Sequence, residues 1–131
     1  RYTLELTEPQ LFDYLKEFYY SDLEQSEEFD NWDCISLKDK MFIELKSRKS
    51  HYDDLLIEES KYQGLLLAAG IRSLVPWYIN STPLGIWGFN LLEVAQPKWE
   101  EKWLPITTEF ENKTQRTKLV GFLKLEDGVV F

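Results

Sequence analysis

The spacing of apolar residues near the start of the chain predicts an amphipathic helix over residues 9–20. Its apolar positions recur at intervals of three and four, at Leu11, Phe12, Leu15, Phe18 and Tyr19. Thr7 precedes them as an N-cap, and Pro9 falls in the first turn, where proline is well tolerated. Residues 21–31 are acidic and carry no regular pattern, so we expect a loop there.

Two strands are predicted next, over residues 32–37 and 40–48. In the second segment, Met41, Ile43 and Leu45 alternate with Phe42, Glu44 and Lys46, which is the two-residue period of a strand. Lys38 and Asp39 stand between the two segments as a short turn. The pattern therefore predicts a β-hairpin.

The rest of the chain predicts one more helix and several strands. Residues 53–69 favour a helix that ends at Gly70, and their second half is apolar on nearly every side, which indicates burial. We expect strands at 73–79, 85–93 and 118–125, turns at 80–83 and 126–128, and a helical turn at 97–104 that carries Trp99 and Trp103.

The order of these elements predicts an α/β fold of the α+β kind, with a mixed sheet flanked by helices. No linker or repeat divides the 131 residues, so we expect one domain over 1–131, with a core at about 8–94 and a C-terminal extension at 95–131. Hydrophobic residues make up 44% of the chain, which is enough to bury a core and argues against intrinsic disorder.

Composition also bears on the cellular setting. The longest uncharged stretch, residues 73–92, contains two prolines and two glycines, so it does not predict a membrane helix. The single cysteine, Cys34, excludes an internal disulfide framework and a multi-cysteine zinc site. With one histidine as well, zinc hydrolases and Cys-His hydrolases are poorly supported. We expect a reducing, cytoplasmic location.

The net charge of −8 is unevenly distributed. Residues 1–33 hold ten acidic and two basic residues, whereas the remainder is balanced at thirteen of each. Five basic residues crowd into twelve positions just after the acidic segment, with His51 beyond them: Lys38, Lys40, Lys46, Arg48 and Lys49. Two interpretations stay open, a pair of solvated charged segments or a basic strip that holds a polyanion beside a carboxylate site.

The predicted hairpin brings acidic side chains together. If it closes on Lys38 and Asp39, Asp33 lies opposite Glu44 on one face, with β-carbons about 4.5–5.5 Å apart, and Lys46 shares that face. Two carboxylates at this separation repel each other, so one pKa rises unless a cation lies between them. A hard divalent ion, Mg²⁺ or Mn²⁺, fits such oxygen ligands, and a neighbouring lysine can offset charge on a phosphate.

A simpler alternative is a surface salt bridge that contributes about 0–1 kcal/mol. Against it, the same face of the hairpin carries Ile35 and Phe42, so we expect it to be half-buried.

Asp33, ten intervening residues and Glu44-Leu45-Lys46 on a hydrophobic strand resemble the motif of the PD-(D/E)XK nuclease superfamily. That family has a restriction-endonuclease-like core of helix, hairpin, helix and strand, and the order predicted for residues 9–79 is similar. The run from Ile43 to Arg48, followed by Glu59 to Tyr62, also resembles small phage-type nucleases, and a phage-encoded chain would be located in the host cytoplasm. It departs from the family at Trp32, which replaces the motif's proline, and no strand is predicted ahead of the one that carries Asp33.

The resemblance implies a role for each motif residue. Asp33 and Glu44 are then metal ligands, joined by the backbone carbonyl of Leu45, and Lys46 is the catalytic lysine. An additional acid on the first helix is either Glu17 or Glu8. A polar residue on the helix after the motif is also implied, for which the candidates are Glu58, Glu59, Lys61 and Gln63. For Glu58 and Lys61, which are three residues apart, an intrahelical ion pair is the alternative.

The implied substrate is DNA, duplex or branched, and the implied contacts are Arg48, Lys49, His51, Lys61 and Gln63. Lys113, Arg116 and Lys118 extend this surface, and a homodimer is expected for cutting two strands. For His51, a solvated loop position is the alternative.

The sequence thus predicts a Mg²⁺- or Mn²⁺-dependent deoxyribonuclease. Two alternatives are kept. One is a non-enzymatic protein-interaction module that docks through its acidic first third, and the other is an inactive nuclease fold that binds nucleic acid.

Overall fold

Residues 5–26, 32–105 and 115–131 are described in this computed structural model, and within them the chain forms two α-helices and nine strands. The elements in chain order are α1 (Glu8–Phe18), β1 (Glu24–Gln25), β2 (Asp33–Ser36), β3 (Met41–Ser47), β4 (Asp54–Glu58), α2 (Glu59–Ile71), β5 (Val75–Thr82), β6 (Gly85–Asn90), β7 (Glu100–Pro105), β8 (Gln115–Lys124) and β9 (Val129–Val130), with a 3₁₀ turn at Leu125–Asp127 before β9.

Helix α1 forms where the apolar spacing predicts it. The Thr7 hydroxyl accepts a hydrogen bond from the Gln10 backbone N–H, and the Gln10 side chain accepts one from the Thr7 N–H, which together make a capping box. Leu11 and Leu15 are fully buried against the sheet. The polar start and the apolar stripe of this helix are thus both encoded locally.

The hairpin of β2 and β3 has the predicted register. Asp33 pairs with Glu44 and Ser36 pairs with Met41, and a four-residue turn at 37–40 joins the strands. The strand β1, however, lies in the segment predicted to be a loop. It pairs antiparallel with β2, which gives the hairpin a third strand.

The larger sheet is mixed and has the order β1-β2-β3-β5-β6-β9. β3 and β5 are parallel, and the other neighbours are antiparallel. Helix α1 covers one face, where Ile43 and Leu45 join its cluster, and α2 covers the other, where Phe42 joins Tyr62 and Leu65. The prediction of a mixed α/β fold with helices flanking the sheet is therefore confirmed.

The helix predicted over 53–69 is wrong in its first third. Residues Asp54–Glu58 form β4, and α2 begins only at Glu59 and continues to Ile71, beyond Gly70. Leu55 and Ile57, each 1% exposed, alternate inward and pair with β8 near the end of the chain. A strand partner so distant in sequence overrides the local helical preference.

The helical turn predicted at 97–104 is also wrong. Residues Glu100–Pro105 form β7, which pairs with β8 in a second, three-stranded sheet of order β4-β8-β7. The last predicted strand is present and extends further towards the N-terminus than expected, as Gln115–Lys124. Leu123 packs into the cluster beside α2, and Phe131 packs on the α1 side, so residues after 95 contribute to both clusters.

None of the helices in the described ranges has the length and apolar character needed to cross a membrane.

Candidate functional site

Asp33 and Glu44 lie side by side on the face of the sheet that α2 covers. Each is only 5% exposed. Asp33 Oδ1 and Glu44 Oε1 are buried and accept no hydrogen bond from the described part of the chain. An unsatisfied buried acceptor costs about 1–3 kcal/mol, and more when it is charged, so a donor or a cation placed here would relieve that cost.

The environment of Glu44 disfavours its ionised form. Burial raises the pKa of this carboxyl from its ordinary value of 4.5 to about 8, and the hydrogen bond and negative charge of Asp33 add to the effect. The ammonium of Lys61 acts in the opposite direction. Without a further cation, burial and the neighbouring Asp33 therefore favour the protonated form of Glu44.

Lys61 reaches Glu44 from the first turn of α2. Its Nζ lies 3.5 Å from Glu44 Oε2. The alternative of an intrahelical pair with Glu58 is wrong, because Glu58 ends β4 and pairs with Lys118 Nζ at 3.1 Å. Lys61 is thus the ion-pair partner of Glu44.

Lys46 follows Glu44 by two residues on β3 and is exposed. It shares a small cavity of about 70 Å³ with Glu44, Glu58 and Lys61. No ion pair to Lys46 is found among residues 5–26, 32–105 and 115–131. The site therefore holds two ammonium groups, one on the strand and one on the helix, and that of Lys46 is available to a ligand.

A cleft of about 240 Å³ opens between α2 and the β2–β3 hairpin. It is polar at the carboxylates and apolar further along, and its lining consists of Asp33, Phe42, Glu44, Ser60, Lys61, Gly64, Leu65 and Ala68. The carboxylate pair forms one end of this cleft, so a ligand in the cleft has direct access to it.

Arg48 lies beside the site and links neighbouring strands through its hydrogen bonds. Its Nε donates to Asn80 Oδ1 at 3.0 Å, and its Nη2 donates to the Tyr78 hydroxyl at 2.7 Å and the Leu56 carbonyl at 2.5 Å. The side chain, predicted to contact DNA, is thus engaged inside the protein, where it joins β3 to β4 and β5. This structural role could not be predicted from the hydrophilic sequence around Arg48, because its hydrogen-bond partners come from two other strands.

The other predicted contacts lie around this site. Lys49 is exposed just beyond β3. His51 Nδ1 lies 2.9 Å from Thr82 Oγ1, and its ring lies 5.1 Å from that of Trp87, so His51 is anchored and not simply a solvated loop residue. Gln63 is exposed on α2 outside the cleft lining. Lys113 and the side chain of Arg116 lie outside the described residues.

The structure does not bring the two candidate acids of α1 to the pair. Glu17 is exposed on a helix that covers the opposite face of the sheet. Glu8 Oε2 accepts a hydrogen bond of 2.8 Å from the Ser47 N–H at the end of β3. The Leu45 side chain packs on the α1 side, so only its backbone carbonyl remains as a ligand candidate.

Within the described residues, no group of three His, Cys, Asp or Glu side chains is placed to hold a metal ion. The donor set is therefore the two carboxylates, each with an oxygen lacking a partner. Mg²⁺ commonly takes one or two protein carboxylates and fills its other positions with water and phosphate oxygens. The chemistry of this pair fits that ion or Mn²⁺.

Several residues at the site were not predicted from the sequence. Ser60, Gly64 and Ala68 line the cleft, and Asn80 and Tyr78 hold Arg48. The small residues in an otherwise bulky apolar helix are the one sequence signal that points to the cleft.

The chain matches no protein-family model, and neither the curated proteins nor the solved structures contain a match to it.

Proposed function

We propose that the protein is a Mg²⁺- or Mn²⁺-dependent nuclease of the PD-(D/E)XK type, which hydrolyses phosphodiester bonds in DNA. The observation that carries the proposal is the buried Asp33–Glu44 pair, with an unpartnered oxygen on each side chain and two lysines beside it. A salt bridge at the surface needs neither the burial nor the unpartnered oxygens.

The topology around the pair supports the proposal. Helix α1, the hairpin, α2 and a strand parallel to β3 follow the order of a restriction-endonuclease-like core. β1 supplies the strand before the one that carries Asp33, which the sequence did not predict.

Asp33 and Glu44 would hold the divalent ion through the two oxygens that accept no hydrogen bond. When bound, such an ion lowers the pKa of water and polarises a phosphoryl oxygen. The ammonium of Lys61 favours the ionised form of Glu44, which is the form that binds a cation. The exposed ammonium of Lys46 can donate to a non-bridging phosphate oxygen and offset the charge that builds there during hydrolysis.

Basic residues beside this centre form the proposed DNA surface. Lys49 is exposed and His51 is partly exposed just after β3, and the partly exposed Lys118 pairs with Glu58, which lines the same cavity as Lys46. A domain of this size covers little DNA, so a homodimer is proposed for cutting both strands.

Cleavage assays with a matched lysine control test the proposal. Supercoiled plasmid, linear duplex, single-stranded DNA and a four-way junction are incubated with Mg²⁺, Mn²⁺ or EDTA. Wild-type protein and Lys38→Ala, which removes an exposed lysine at the far end of the same hairpin, are expected to cut with either metal. Lys46→Ala and Glu44→Ala are expected to lose about a hundredfold or more in rate, because each removes an electrostatic contribution to the transition state.

A folded wild-type protein that cuts none of these substrates would overturn the proposal. Binding of DNA in the same samples would then favour an inactive nuclease fold. Absence of binding would favour a protein-interaction module, whose affinity for its partner should depend on the acidic first third of the chain.

A further inference from the structure

The cleft beside the carboxylate pair continues well past the groups that the proposed hydrolysis uses. Asp33, Glu44 and Lys61 occupy its polar end. Apart from the Ser60 hydroxyl, the remaining lining is apolar and comes from Phe42 on β3 and from Gly64, Leu65 and Ala68 on successive turns of α2. A ligand that fills the cleft therefore has a charged end, at the carboxylates, and a flat or apolar end that points along α2.

Room for that ligand comes from the small residues of α2. Gly64 lies on the cleft wall, and a Cβ added there meets no atom within 4 Å. Glycine within a helix is unfavourable relative to alanine, so an open wall at this position carries a cost in stability. Leu65, one residue on, is buried and forms the apolar floor with Phe42.

The depth of the carboxylates restricts which DNA can enter. Asp33 and Glu44 are almost wholly buried and both line the cleft, so a phosphate that contacts both of them enters between α2 and the hairpin. A nucleotide attached to that phosphate has to enter with it, and a cleft of about 240 Å³ is far too small for a base pair. A base can enter only after it has left its stack and its partner, as in enzymes that act on flipped or unpaired bases.

We infer that the cleft receives one unpaired nucleobase adjacent to the scissile phosphate, so that the substrate is DNA with unpaired nucleotides, such as single strands, flaps and frayed ends. Lys61 in the cleft, and Lys46 in the adjoining cavity that also contains Glu44 and Lys61, supply charge complementary to the phosphate, and the apolar wall of α2 accepts the base. This inference rests on the proposed function for the position of the phosphate.

The two glycines of α2 provide a matched pair of variants. Gly64 and Gly70 are both exposed on this helix, and an added Cβ meets nothing at either position, but only Gly64 lines the cleft. Gly64→Leu fills the cleft from its wall, whereas Gly70→Leu adds the same side chain outside it. Gly64→Ala adds one methyl group and serves as a second variant with little risk to folding.

Binding is measured by fluorescence anisotropy with a labelled single-stranded oligonucleotide and with the same strand in a blunt duplex, in Ca²⁺. Wild-type protein and Gly70→Leu are expected to bind the single strand about tenfold more tightly than the duplex. Gly64→Leu is expected to bind the single strand about tenfold more weakly than wild type, because one base contact is lost. The affinity of Gly64→Ala for the single strand should lie between those of wild type and Gly64→Leu. Thermal melting confirms that each variant is folded.

Equal affinity of the wild type for single strand and duplex would overturn the inference, as would unchanged single-strand binding by folded Gly64→Leu. Cleavage is scored separately in Mg²⁺. Selective binding that depends on Gly64, without metal-dependent cleavage, would support the cleft assignment and reject the nuclease proposal. Cleavage restricted to fully paired duplex would keep the nuclease and overturn the unpaired-base inference.

Discussion

At the scale of single residues, the most informative feature is a pair of carboxyl groups that the fold buries at a cost. Asp33 and Glu44 are adjacent because of the hairpin register, and they are buried because α2 covers that face of the sheet. Lys61 offsets part of the repulsion. A stability penalty maintained at one place in a fold is typical of a functional site.

The raised pKa of Glu44 predicts how stability changes with pH. Its pKa is about 8 in the folded protein and near 4.5 when unfolded, so the folded state binds more protons between these values. The free energy of unfolding should therefore fall as pH rises from about 4.5 to about 8. Glu44→Gln does not titrate, and we expect it to be more stable than wild type at pH 8 by about 1–3 kcal/mol, measured by urea unfolding.

Asp54→Asn, at an exposed carboxylate of β4, is the control and should keep the wild-type pH dependence. Identical pH profiles for wild type and Glu44→Gln would contradict the burial of this carboxyl.

Saturating Mn²⁺ should raise the melting temperature of wild type by several degrees and that of Glu44→Gln by much less, because the variant loses a ligand.

Arg48 is expected to act on stability, through the three hydrogen bonds that it donates. Arg48→Ala leaves the fully buried Asn80 side chain without its donor, and we expect a loss of about 2–4 kcal/mol in the free energy of unfolding. Lys49→Ala, next to it and exposed, should change that free energy by less than about 0.5 kcal/mol. If both variants melted alike, the inward placement of Arg48 would be wrong.

At the scale of elements, the boundary between β4 and α2 decides the shape of the site. The chain turns from strand to helix at Glu58 and Glu59, and this places Lys61 in the first turn of α2, within reach of Glu44. A continuous helix from residue 53 would have no strand to pair with β8. The second sheet thus positions α2 over the carboxylates.

The isoleucines on either side of this boundary test it. Ile57→Ala removes a side chain that is 1% exposed and pairs across to β8, and we expect a loss of about 2–4 kcal/mol in unfolding free energy. Ile71→Ala, at the exposed end of α2, should change it by less than about 0.5 kcal/mol. Equal and small losses in chemical denaturation would indicate that residues 54–58 do not form a buried strand.

At the scale of the whole molecule, the C-terminal third is built into both sheets. β8 is the central strand of the second sheet, and β9 forms the edge of the first beyond β6. Phe131 lies 5.0 Å from the ring of Tyr19 and 6.4 Å from that of Trp77, so the end of the chain packs beside α1. The sequence predicts a core that ends near residue 94 and a C-terminal extension after it. The contacts above join that extension to the core.

A fragment of residues 1–94 tests this difference. It removes the strand that pairs with β4 and takes Leu123 out of the cluster that contains Leu55 and Ile57. We expect no cooperative thermal transition by circular dichroism, in contrast to a single sharp transition for the full chain. A fragment that melts cooperatively would show that residues 95–131 are a separable extension.

Local sequence determined much of the candidate site. A hairpin register depends on the turn and on alternation over a few residues, so the pairing of Asp33 with Glu44 followed from the spacing around Lys38 and Asp39. The helix α1 was equally local, since its cap and its stripe lie within one segment. The nuclease motif and the metal that it implies stay predictions, which the experiments above test.

Contacts between distant segments were decided only by the tertiary structure. β4 and β7 became strands because β8 offers each an edge, and neither pattern contains that information. The pairing of Lys61 with Glu44, the internal role of Arg48 and the cleft beside Gly64 arise in the same way. Periodicity along a chain specifies which face of an element is apolar, but packing free energy across the whole fold selects the partner that covers it.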